Sequence, residues 1–448
     1  MSTDTTPTVE TGRVEETLAA GTLLRLATAG SVDDGKSTLV GRLLHDTKSI
    51  LADQLASVER VSRERGLTGA DLALLTDGLR AEREQGITID VAYRYFATPK
   101  RSFILADCPG HVQYTRNTVT GCSTADVTVV LVDARNGVLE QTRRHLAVCA
   151  LLRVEHVVVA VNKIDLVDYR EDRFTEVADD VRSVARGLGL TEPTVIPVAA
   201  LHGDNIAELS PHMPWYQGPT LLELLETLPP ADNPADEPFR FPVQYVIRPQ
   251  TAAGDKYRDY RGYAGQIAAG AVRVGDEVTV LPSGRSTTVT HIDTYDGGLE
   301  RAFTPRSVTL RLADDIDIAR GEMIAAQDVP TPVNELTATV AWLDERPLRA
   351  GARMLFKHTS QTVQARVDTL DSRLDLDTLE HVDAPQLELN DIGKVKLTIS
   401  QDLPLEPYRK LRNTGSFLLI DAHSGQTLAA GMVDEPLTPE DDDFGWVI

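Results

Sequence analysis

The sequence has few cysteines and no long apolar run, and both absences limit what the protein can be. Its 3 cysteines among 448 residues show neither zinc-site spacing nor the even count of a disulfide framework, so we expect reduced thiols. No apolar run approaches the roughly 20 residues that a membrane span requires. The first twenty residues are polar and net acidic, which is atypical of a secretory signal. We therefore expect a cytoplasmic protein.

Basic residues are scarce relative to acidic ones. The 45 Lys and Arg against 67 Asp and Glu give a formal net charge of −22 at pH 7. Non-specific nucleic-acid binding depends on basic side chains that neutralise phosphates. The overall charge therefore argues against such binding, although it leaves local basic patches open.

The length and the hydrophobic patterning predict several domains. At 448 residues the chain is too long for one ordinary core. In the first half, β-branched runs alternate with helical stretches, which predicts an α/β domain with a mostly parallel, doubly wound sheet. After the segment LPPADNPADEP, alternation by two with frequent Gly and Pro predicts two small all-β barrels. The predicted divisions are a disordered arm at 1–20, the α/β domain at 21–232, barrels at 238–330 and 331–435, and an acidic tail at 436–448.

The segment GSVDDGKS at 30–37 matches the phosphate-binding pattern G-x-x-x-x-G-K-[ST], between a predicted strand and a predicted helix. Glycines let backbone N–H groups approach anionic oxygens, and the helix N-terminus adds its dipole. We expect Lys36 to contact the β- and γ-phosphates and Ser37 to ligate Mg²⁺. A plain Gly-rich turn would leave both side chains unexplained. The predicted phosphate-binding residues are Gly30, Ser31, Val32, Asp33, Asp34, Gly35, Lys36, Ser37, Thr38 and Gly110.

The segment NKID at 162–165 follows a predicted strand and indicates which base the site takes. Asn162 can bond the N7/O6 edge of a purine, and the stem of Lys163 can cover the base. The carboxylate of Asp165 can accept from N1–H and the 2-amino group of guanine, two donors that adenine lacks. A site built for these donors rejects ATP, because its polar groups would then stay unpaired.

The segment DCPGH at 107–111 follows another predicted strand. We expect Asp107 to hold Mg²⁺ through a water, and the Gly110 N–H to contact the γ-phosphate. His111 is the candidate for orienting the attacking water, a task that other GTPases give to Gln. A lone His is more often structural, but its position directly after Pro-Gly favours function here.

A fourth segment, REQGITIDV at 83–91, contains Thr88, whose hydroxyl can complete the Mg²⁺ sphere. Loss of the γ-phosphate would release this segment, which is the order-to-disorder mechanism of a switch. The predicted metal ligands are thus Ser37, Thr88 and Asp107, and the predicted catalytic residues are His111, Lys36 and Thr88.

In this order, GSVDDGKS, GITI, DCPGH and NKID resemble the translation-factor class of GTPases, which includes elongation factors Tu and 1A. The resemblance covers the whole chain, because that class follows its GTPase domain with two β-barrels. Further segments, among them MPWYQGPTLLELLETL, FPVQYVIRP and GSFLLIDAHSGQTLAAGMV, are similar to the GTPase subunits of bacterial ATP sulfurylases.

The resemblance implies a guanine-contacting loop at 199–201. That family usually has Ser-Ala-Leu here, whereas this chain has Ala199, Ala200 and Leu201. The Ala200 N–H is expected to donate to guanine O6, and loss of the serine hydroxyl removes about 1 kcal/mol of hydrogen bonding. The predicted guanine-binding residues are Asn162, Lys163, Asp165, Ala200 and Leu201.

The resemblance also implies a smaller partner subunit that carries the ATP chemistry, in a heterodimer or a larger assembly. GTP hydrolysis in this chain would then promote formation of adenylylsulfate and pyrophosphate from ATP and sulfate. The sequence shows no second P-loop, no H-x-G-H and no S-G-G-x-D-S segment for ATP, and we expect no fused adenylylsulfate kinase. We expect neither DNA nor a membrane as partner.

Two other functions share the same nucleotide motifs. One is an elongation-factor-like translation GTPase that binds aminoacyl-tRNA, which the acidic charge disfavours. The other is a binding module that holds GTP as a structural or regulatory ligand.

Overall fold

A computed structural model describes residues 23–50, 56, 58, 60–63, 72–75, 90–229, 236–249 and 260–437. The backbone contacts divide the chain into two compact units: Met1–Ala231 with Leu376–Glu380, and Asp232–Asp375 with His381–Ile448. Thr88 and the GITI segment, the arm at 1–20 and residues 438–448 of the acidic tail lie outside the described residues. None of the helices in the described ranges combines the length and the hydrophobicity needed to cross a bilayer.

The first unit is built on a six-stranded sheet with the order β2-β3-β1-β4-β5-β6. Its strands are β1 (Leu23–Gly30), β2 (Ala92–Ala97), β3 (Ser102–Asp107), β4 (Val127–Asp133), β5 (His156–Asn162) and β6 (Thr194–Pro197). All neighbours are parallel except β2 and β3. The prediction of a mostly parallel, doubly wound sheet is confirmed, and the antiparallel edge strand β2 is an addition to it.

Helices connect these strands. They are α1 (Lys36–Asp46), α2 (Thr115–Ser123), α3 (Glu140–Leu151), α4 (Glu171–Gly187) and α5 (Leu221–Thr227), with 3₁₀ turns at Leu72–Leu75, Val112–Tyr114 and Ile164–Val167. The longest, α4, buries Val177, Val181 and Val184, whose spacing places them on one face. Acidic residues in its first turn and Arg186 in its last turn complement the helix dipole.

The carboxyl ends of four strands form the edge that positions the site. All seven residues of β4 are buried, as expected for a parallel strand covered on both faces. In the order β3-β1-β4-β5, the strands end at Asp107, Gly30, Asp133 and Asn162. Ligands of open α/β sheets bind at this edge, where the strand order reverses.

The second unit consists of two sets of strands, in agreement with the prediction of all-β barrels. The first set forms an eight-stranded sheet and a separate two-stranded sheet, and the second set forms one seven-stranded sheet. The first set is β7 (Arg240–Pro242), β8 (Tyr245–Ile247), β9 (Gly262–Gln266), β10 (Ala271–Arg273), β11 (Glu277–Leu281), β12 (Arg285–Thr294), β13 (Gly297–Leu299), β14 (Arg301–Phe303), β15 (Ser307–Leu312) and β16 (Met323–Ala325). The second set is β17 (Val333–Trp342), β18 (Arg353–His358), β19 (Gln361–Leu374), β20 (His381–Val382), β21 (Ile392–Leu403), β22 (Ser416–Ile420) and β23 (Thr427–Leu437). Because β18 pairs with both β19 and β22, the second set closes into a barrel.

A buried ion pair joins the two sets of strands within this unit. Arg240 on β7 donates from Nε and Nη2 to the two carboxylate oxygens of Glu406, at 2.9 and 3.0 Å. Both side chains are buried, and the Thr414 hydroxyl donates to the same carboxylate at 2.8 Å. Arg240 also donates to backbone carbonyls, among them that of Ala326. All three guanidinium nitrogens therefore donate hydrogen bonds, which offset the free-energy cost of burying the charge.

Candidate nucleotide-binding site

The phosphate-binding loop connects β1, which ends at Gly30, to α1, which begins at Lys36. Gly35 has φ +95°, and a Cβ there would lie 2.4 Å from Asn162 Nδ2. Gly30 has φ +149°, and a Cβ there would lie 2.9 Å from the Leu131 carbonyl oxygen. Both glycines are therefore required by the backbone conformation and by the close approach of neighbouring strands.

Lys36 is buried at the centre of the loop. Its Nζ donates to the carbonyl oxygens of Gly30 and Ser31, both at 2.7 Å. Burial lowers the pKa of Lys36, while the carboxylates of Asp34 and Asp107 act in the opposite direction. A Cβ on Gly110 would lie 2.2 Å from Nζ, so the glycine of DCPGH packs directly on this lysine. The structure thus brings two of the predicted phosphate-binding segments together.

The rest of the loop is held by Asp34 and leaves one polar atom unused. Asp34 accepts the Ser31 N–H at 2.7 Å, and burial raises the pKa of its carboxyl. The buried Ser31 hydroxyl has no hydrogen-bond partner within the described part of the chain. Val32 and Asp33 are exposed, and Thr38 is half-buried on α1. An orphaned hydroxyl inside a glycine cradle fits a loop that receives anionic oxygens.

The predicted metal ligands that the structure describes are Asp107 and Ser37. Asp107 ends β3 and accepts a hydrogen bond at 3.0 Å from Thr28, its register neighbour on β1. Ser37 is half-buried in the first turn of α1. A carboxylate and a hydroxyl are the hard oxygen ligands that suit Mg²⁺, so the donors fit this ion.

His111 precedes the 3₁₀ turn Val112–Tyr114 and is half-buried. Its Nδ1 accepts the Gln113 N–H at 3.3 Å, and its ring centre lies 6.0 Å from that of Tyr114. This hydrogen bond from Gln113 restrains the imidazole ring through Nδ1. Nε2 is therefore the nitrogen suited to hold a water molecule.

At the other end of the site, Asn162 links three segments. It ends β5, donates from Nδ2 to the Asp34 carbonyl at 2.8 Å, and accepts the Ala200 N–H on Oδ1 at 3.0 Å. The P-loop, β5 and the loop at 199–201 are thus tied by one buried amide. The Ala200 N–H, predicted to face guanine O6, donates to Asn162 in this structure.

Lys163 has φ +59°, and its Nζ contacts one backbone carbonyl and one carboxylate. It donates to the Asp33 carbonyl and lies 3.0 Å from Asp133 Oδ2. Burial works to raise the pKa of Asp133, but hydrogen bonds from Arg135 and Lys163 outweigh it and lower the pKa to about 2. Asp133 was not among the sequence-predicted residues. Its position at the carboxyl end of β4 was a usable signal, because that edge carries the other site residues.

Asp165 lies in the 3₁₀ turn Ile164–Val167, with its side chain 16% exposed. The ring Nε2 of His202 lies 3.5 Å from its carboxylate, on a side chain 54% exposed. His202 directly follows the predicted guanine loop in the sequence and was also missed. The half-buried Asp165 carboxylate therefore lies beside an exposed ring.

The loop at 199–201 is supported without a serine hydroxyl. The Ala199 N–H donates to the Asp204 carbonyl at 3.2 Å, and Ser210 donates to the Asp204 carboxylate at 2.7 Å. Arg42, on α1, donates from Nε to the Ala200 carbonyl at 3.1 Å and from Nη2 to the Leu201 carbonyl at 2.5 Å. No sequence signal pointed to Arg42, since its partners lie more than 150 residues further along the chain.

Comparison with known proteins identifies the family to which this chain belongs. The family model of the elongation factor Tu GTP binding domain matches residues 22–230, and that of the GTP-eEF1A C-terminal domain matches residues 335–434. The bifunctional enzyme CysN/CysC of Mycobacterium tuberculosis is 54% identical over 416 residues, covering 92% of this chain and 67% of its own length.

Relatives named sulfate adenylyltransferase subunit 1 are similar along nearly their whole length. That of Cellvibrio japonicus is 48% identical over 93% of this chain and 88% of its own. That of Vibrio vulnificus is 50% identical over 93% and 87%, respectively. The predicted resemblance is confirmed: the chain belongs to the sulfate adenylyltransferase subunit 1 family, within the translation-factor class of GTPases.

Proposed function

We propose that this chain hydrolyses GTP as the regulatory subunit of a cytoplasmic, two-subunit sulfate adenylyltransferase. GTP cleavage promotes formation of adenylylsulfate and pyrophosphate from ATP and sulfate in a smaller partner subunit. One observation carries the proposal. Asn162 bonds both the P-loop and the loop at 199–201, so the groups suited to the phosphates and to the base of one nucleotide share a site.

The P-loop binds the phosphates of GTP. On binding, Lys36 exchanges the carbonyls of Gly30 and Ser31 for β- and γ-phosphate oxygens, which are stronger, charged acceptors. Ser37 and Asp107 would hold Mg²⁺, with Thr88 as the third proposed ligand. When bound, the ion would supply positive charge beside the phosphates.

The DCPGH segment responds to the γ-phosphate. Gly110 packs against Lys36 Nζ, so a phosphate bound at this lysine reaches the Gly110 N–H. His111 follows directly and orients the attacking water from Nε2. Loss of the γ-phosphate removes the contact, and the segment changes conformation between the GTP and GDP states.

The base end selects guanine. The Asp165 carboxylate accepts from N1–H and the 2-amino group, and Ala200 donates to O6. Lys163, anchored by Asp133, covers the ring with its aliphatic stem. Adenine presents a donor where Ala200 also donates, and it lacks both donors for Asp165, so ATP leaves the Asp165 carboxylate unpaired and the Ala200 N–H opposite another donor.

Coupling to the partner follows from the energetics of its reaction. The phosphate–sulfate anhydride of adenylylsulfate is high in energy, so the equilibrium lies toward ATP and sulfate. GTP hydrolysis biases the cycle forward only if the partner has different affinities for the GTP and GDP states of this chain.

The test is to co-express this chain with a small sulfate adenylyltransferase subunit and follow pyrophosphate release from ATP and sulfate. We expect release to increase with GTP and not with GDP, and the His111→Ala complex to lose the increase. Pyrophosphate release that does not depend on GTP would refute the coupling. Tight, salt-dependent binding of aminoacyl-tRNA would instead support a translation factor.

A further inference from the structure

We propose that Arg42 is a positioning residue that sets guanine specificity by holding the loop at 199–201 in place. The inference rests on the proposed function, because it assumes that this loop reads the base of GTP. Arg42 itself contacts neither the base nor the phosphates in this assignment. It acts through the backbone of the loop.

The contacts of Arg42 are directed at the two residues proposed to contact guanine. Its Nε donates to the carbonyl of Ala200 and its Nη2 to the carbonyl of Leu201, at 3.1 and 2.5 Å. The side chain is 18% exposed, and Asp46, one turn further along α1, lies 3.7 Å from Nη1. A Cβ on Gly203 would lie 3.7 Å from the Arg42 side chain, so the stem runs along the end of the loop.

Ala200 is thereby held through both of its backbone groups. Its N–H donates to Asn162 and its carbonyl accepts from Arg42. Fixing both groups fixes the orientation of the two peptides that flank Ala200, whose N–H exchanges Asn162 for guanine O6 when the base binds. A planar guanidinium that donates to two successive carbonyls restrains the loop more tightly than a single bond, because it removes rotation about either one.

The composition of the loop explains why an external clamp is needed. Ala199 and Ala200 are buried but have no polar side-chain atoms, and Leu201 is 61% exposed. None of these three side chains therefore supplies a hydrogen bond that orients the loop backbone. The charged donors of Arg42 provide one from α1, the helix whose first residues Lys36 and Ser37 serve the phosphates.

The experiment measures nucleotide discrimination in the full-length chain. Arg42→Met keeps the length of the stem and removes both donors, and Arg42→Gln is a second variant too short to reach both carbonyls. Arg182→Met is the matched control, since Arg182 lies on α4 and pairs only with side chains of Asp179 and Glu192 in the described structure. Dissociation constants for GTP, GDP and ATP are determined by competition with a fluorescent guanine nucleotide.

For Arg42→Met we expect GTP and GDP to bind about tenfold more weakly, and the preference for GTP over ATP to fall by about the same factor. The ratio of GTP to ATP affinity in Arg182→Met should equal that of the parent chain. If either Arg42 variant folds with the parent's unfolding midpoint and keeps the parent's GTP/ATP ratio, the inference is wrong. A loss of stability without a change in that ratio also contradicts it. A parent chain that does not prefer GTP refutes the proposed function instead.

Discussion

At the residue scale, Lys163 and Asp165 of the NKID segment differ in the groups that they contact. Lys163 is anchored by Asp133, whose pKa of about 2 keeps the carboxylate charged at any pH suited to an assay. Asp165, two residues later, has only the accessible His202 ring within ion-pair distance of its carboxylate in the described structure. These contacts support the proposed roles, in which Lys163 covers the base and Asp165 accepts hydrogen bonds from its donors.

The Asp165→Asn variant tests the base assignment. An amide can no longer accept two hydrogen bonds from guanine, but it can donate to the 2-oxo group of xanthine. Because hydrogen bonds to charged groups are worth about 1.5–3 kcal/mol, GTP affinity should fall at least about tenfold while xanthosine triphosphate affinity rises. Titrations with both nucleotides measure this.

Asp168→Asn is the control for that substitution. Asp168 is exposed three residues further on and has φ +57°, a conformation that Asn tolerates well. It should leave both affinities unchanged. Unaltered GTP preference in Asp165→Asn would show that another group reads the base.

The His111→Ala variant tests the placement of the attacking water. GTP should still bind, because His111 is proposed to contact only water. Single-turnover hydrolysis should slow by at least about 100-fold, the range of a positioned acid–base group. His423→Ala, an exposed histidine in a turn of the second unit, should leave the rate unchanged. A normal rate in His111→Ala would assign the role to another residue.

At the element scale, the P-loop conformation depends on space as well as on backbone angles. Gly35→Ala places a methyl group 2.4 Å from Asn162 Nδ2, at φ +95°. The methyl group should displace the amide that joins the P-loop to the guanine loop. We therefore expect nucleotide affinity to fall more than about tenfold, beyond the roughly 1–2 kcal/mol of stability that positive φ costs any L-residue.

Gly275→Ala separates these two effects. Gly275 has φ +96°, almost the same value, and nothing lies within 4 Å of a Cβ there. Urea unfolding should show the cost of positive φ in both variants, with a larger loss in Gly35→Ala because of the Asn162 contact, whereas fluorescent GDP binding should weaken only in Gly35→Ala. Equal affinities in the two variants would contradict the role of the Asn162 contact.

The buried pair Arg240–Glu406 should control the stability of the second unit. Arg240→Met leaves the Glu406 carboxylate buried without its partner, and breaking such pairs typically costs about 3–5 kcal/mol. The double variant with Glu406→Leu should recover much of this loss. Arg366→Met, which breaks an exposed pair with Asp368, should cost less than about 1 kcal/mol. Calorimetry of the full chain measures all three.

At the scale of the whole molecule, the charge of −22 separates the proposed function from a translation factor. Aminoacyl-tRNA binding requires basic side chains against phosphates and weakens steeply with salt. We expect no tRNA binding in the micromolar range at 50 mM salt, in either nucleotide state, by filter retention. Binding that disappears on raising the salt would overturn this expectation.

Much of the fold and of the candidate site followed from local patterns. The apolar runs around 24–29 and 127–132 became β1 and β4, because continuous burial on both faces is typical of parallel strands. The P-loop was found because its glycines and lysine are adjacent in sequence. The edge strand β2 was missed, since its alternating AYRYFA is short and half exposed. Asp133 and His202 were missed because neither belongs to a recognised motif.

The sequence by itself determined the fold class and the family and predicted the chemistry of the motifs, because backbone preference and burial repeat over a few residues. Only the tertiary structure decided which distant groups meet. Asn162 bonds a residue 128 positions away and Arg42 one 158 positions away, and both contacts depend on the order of strands in the sheet. That order results from packing the whole domain, so no local stretch of sequence specifies these contacts.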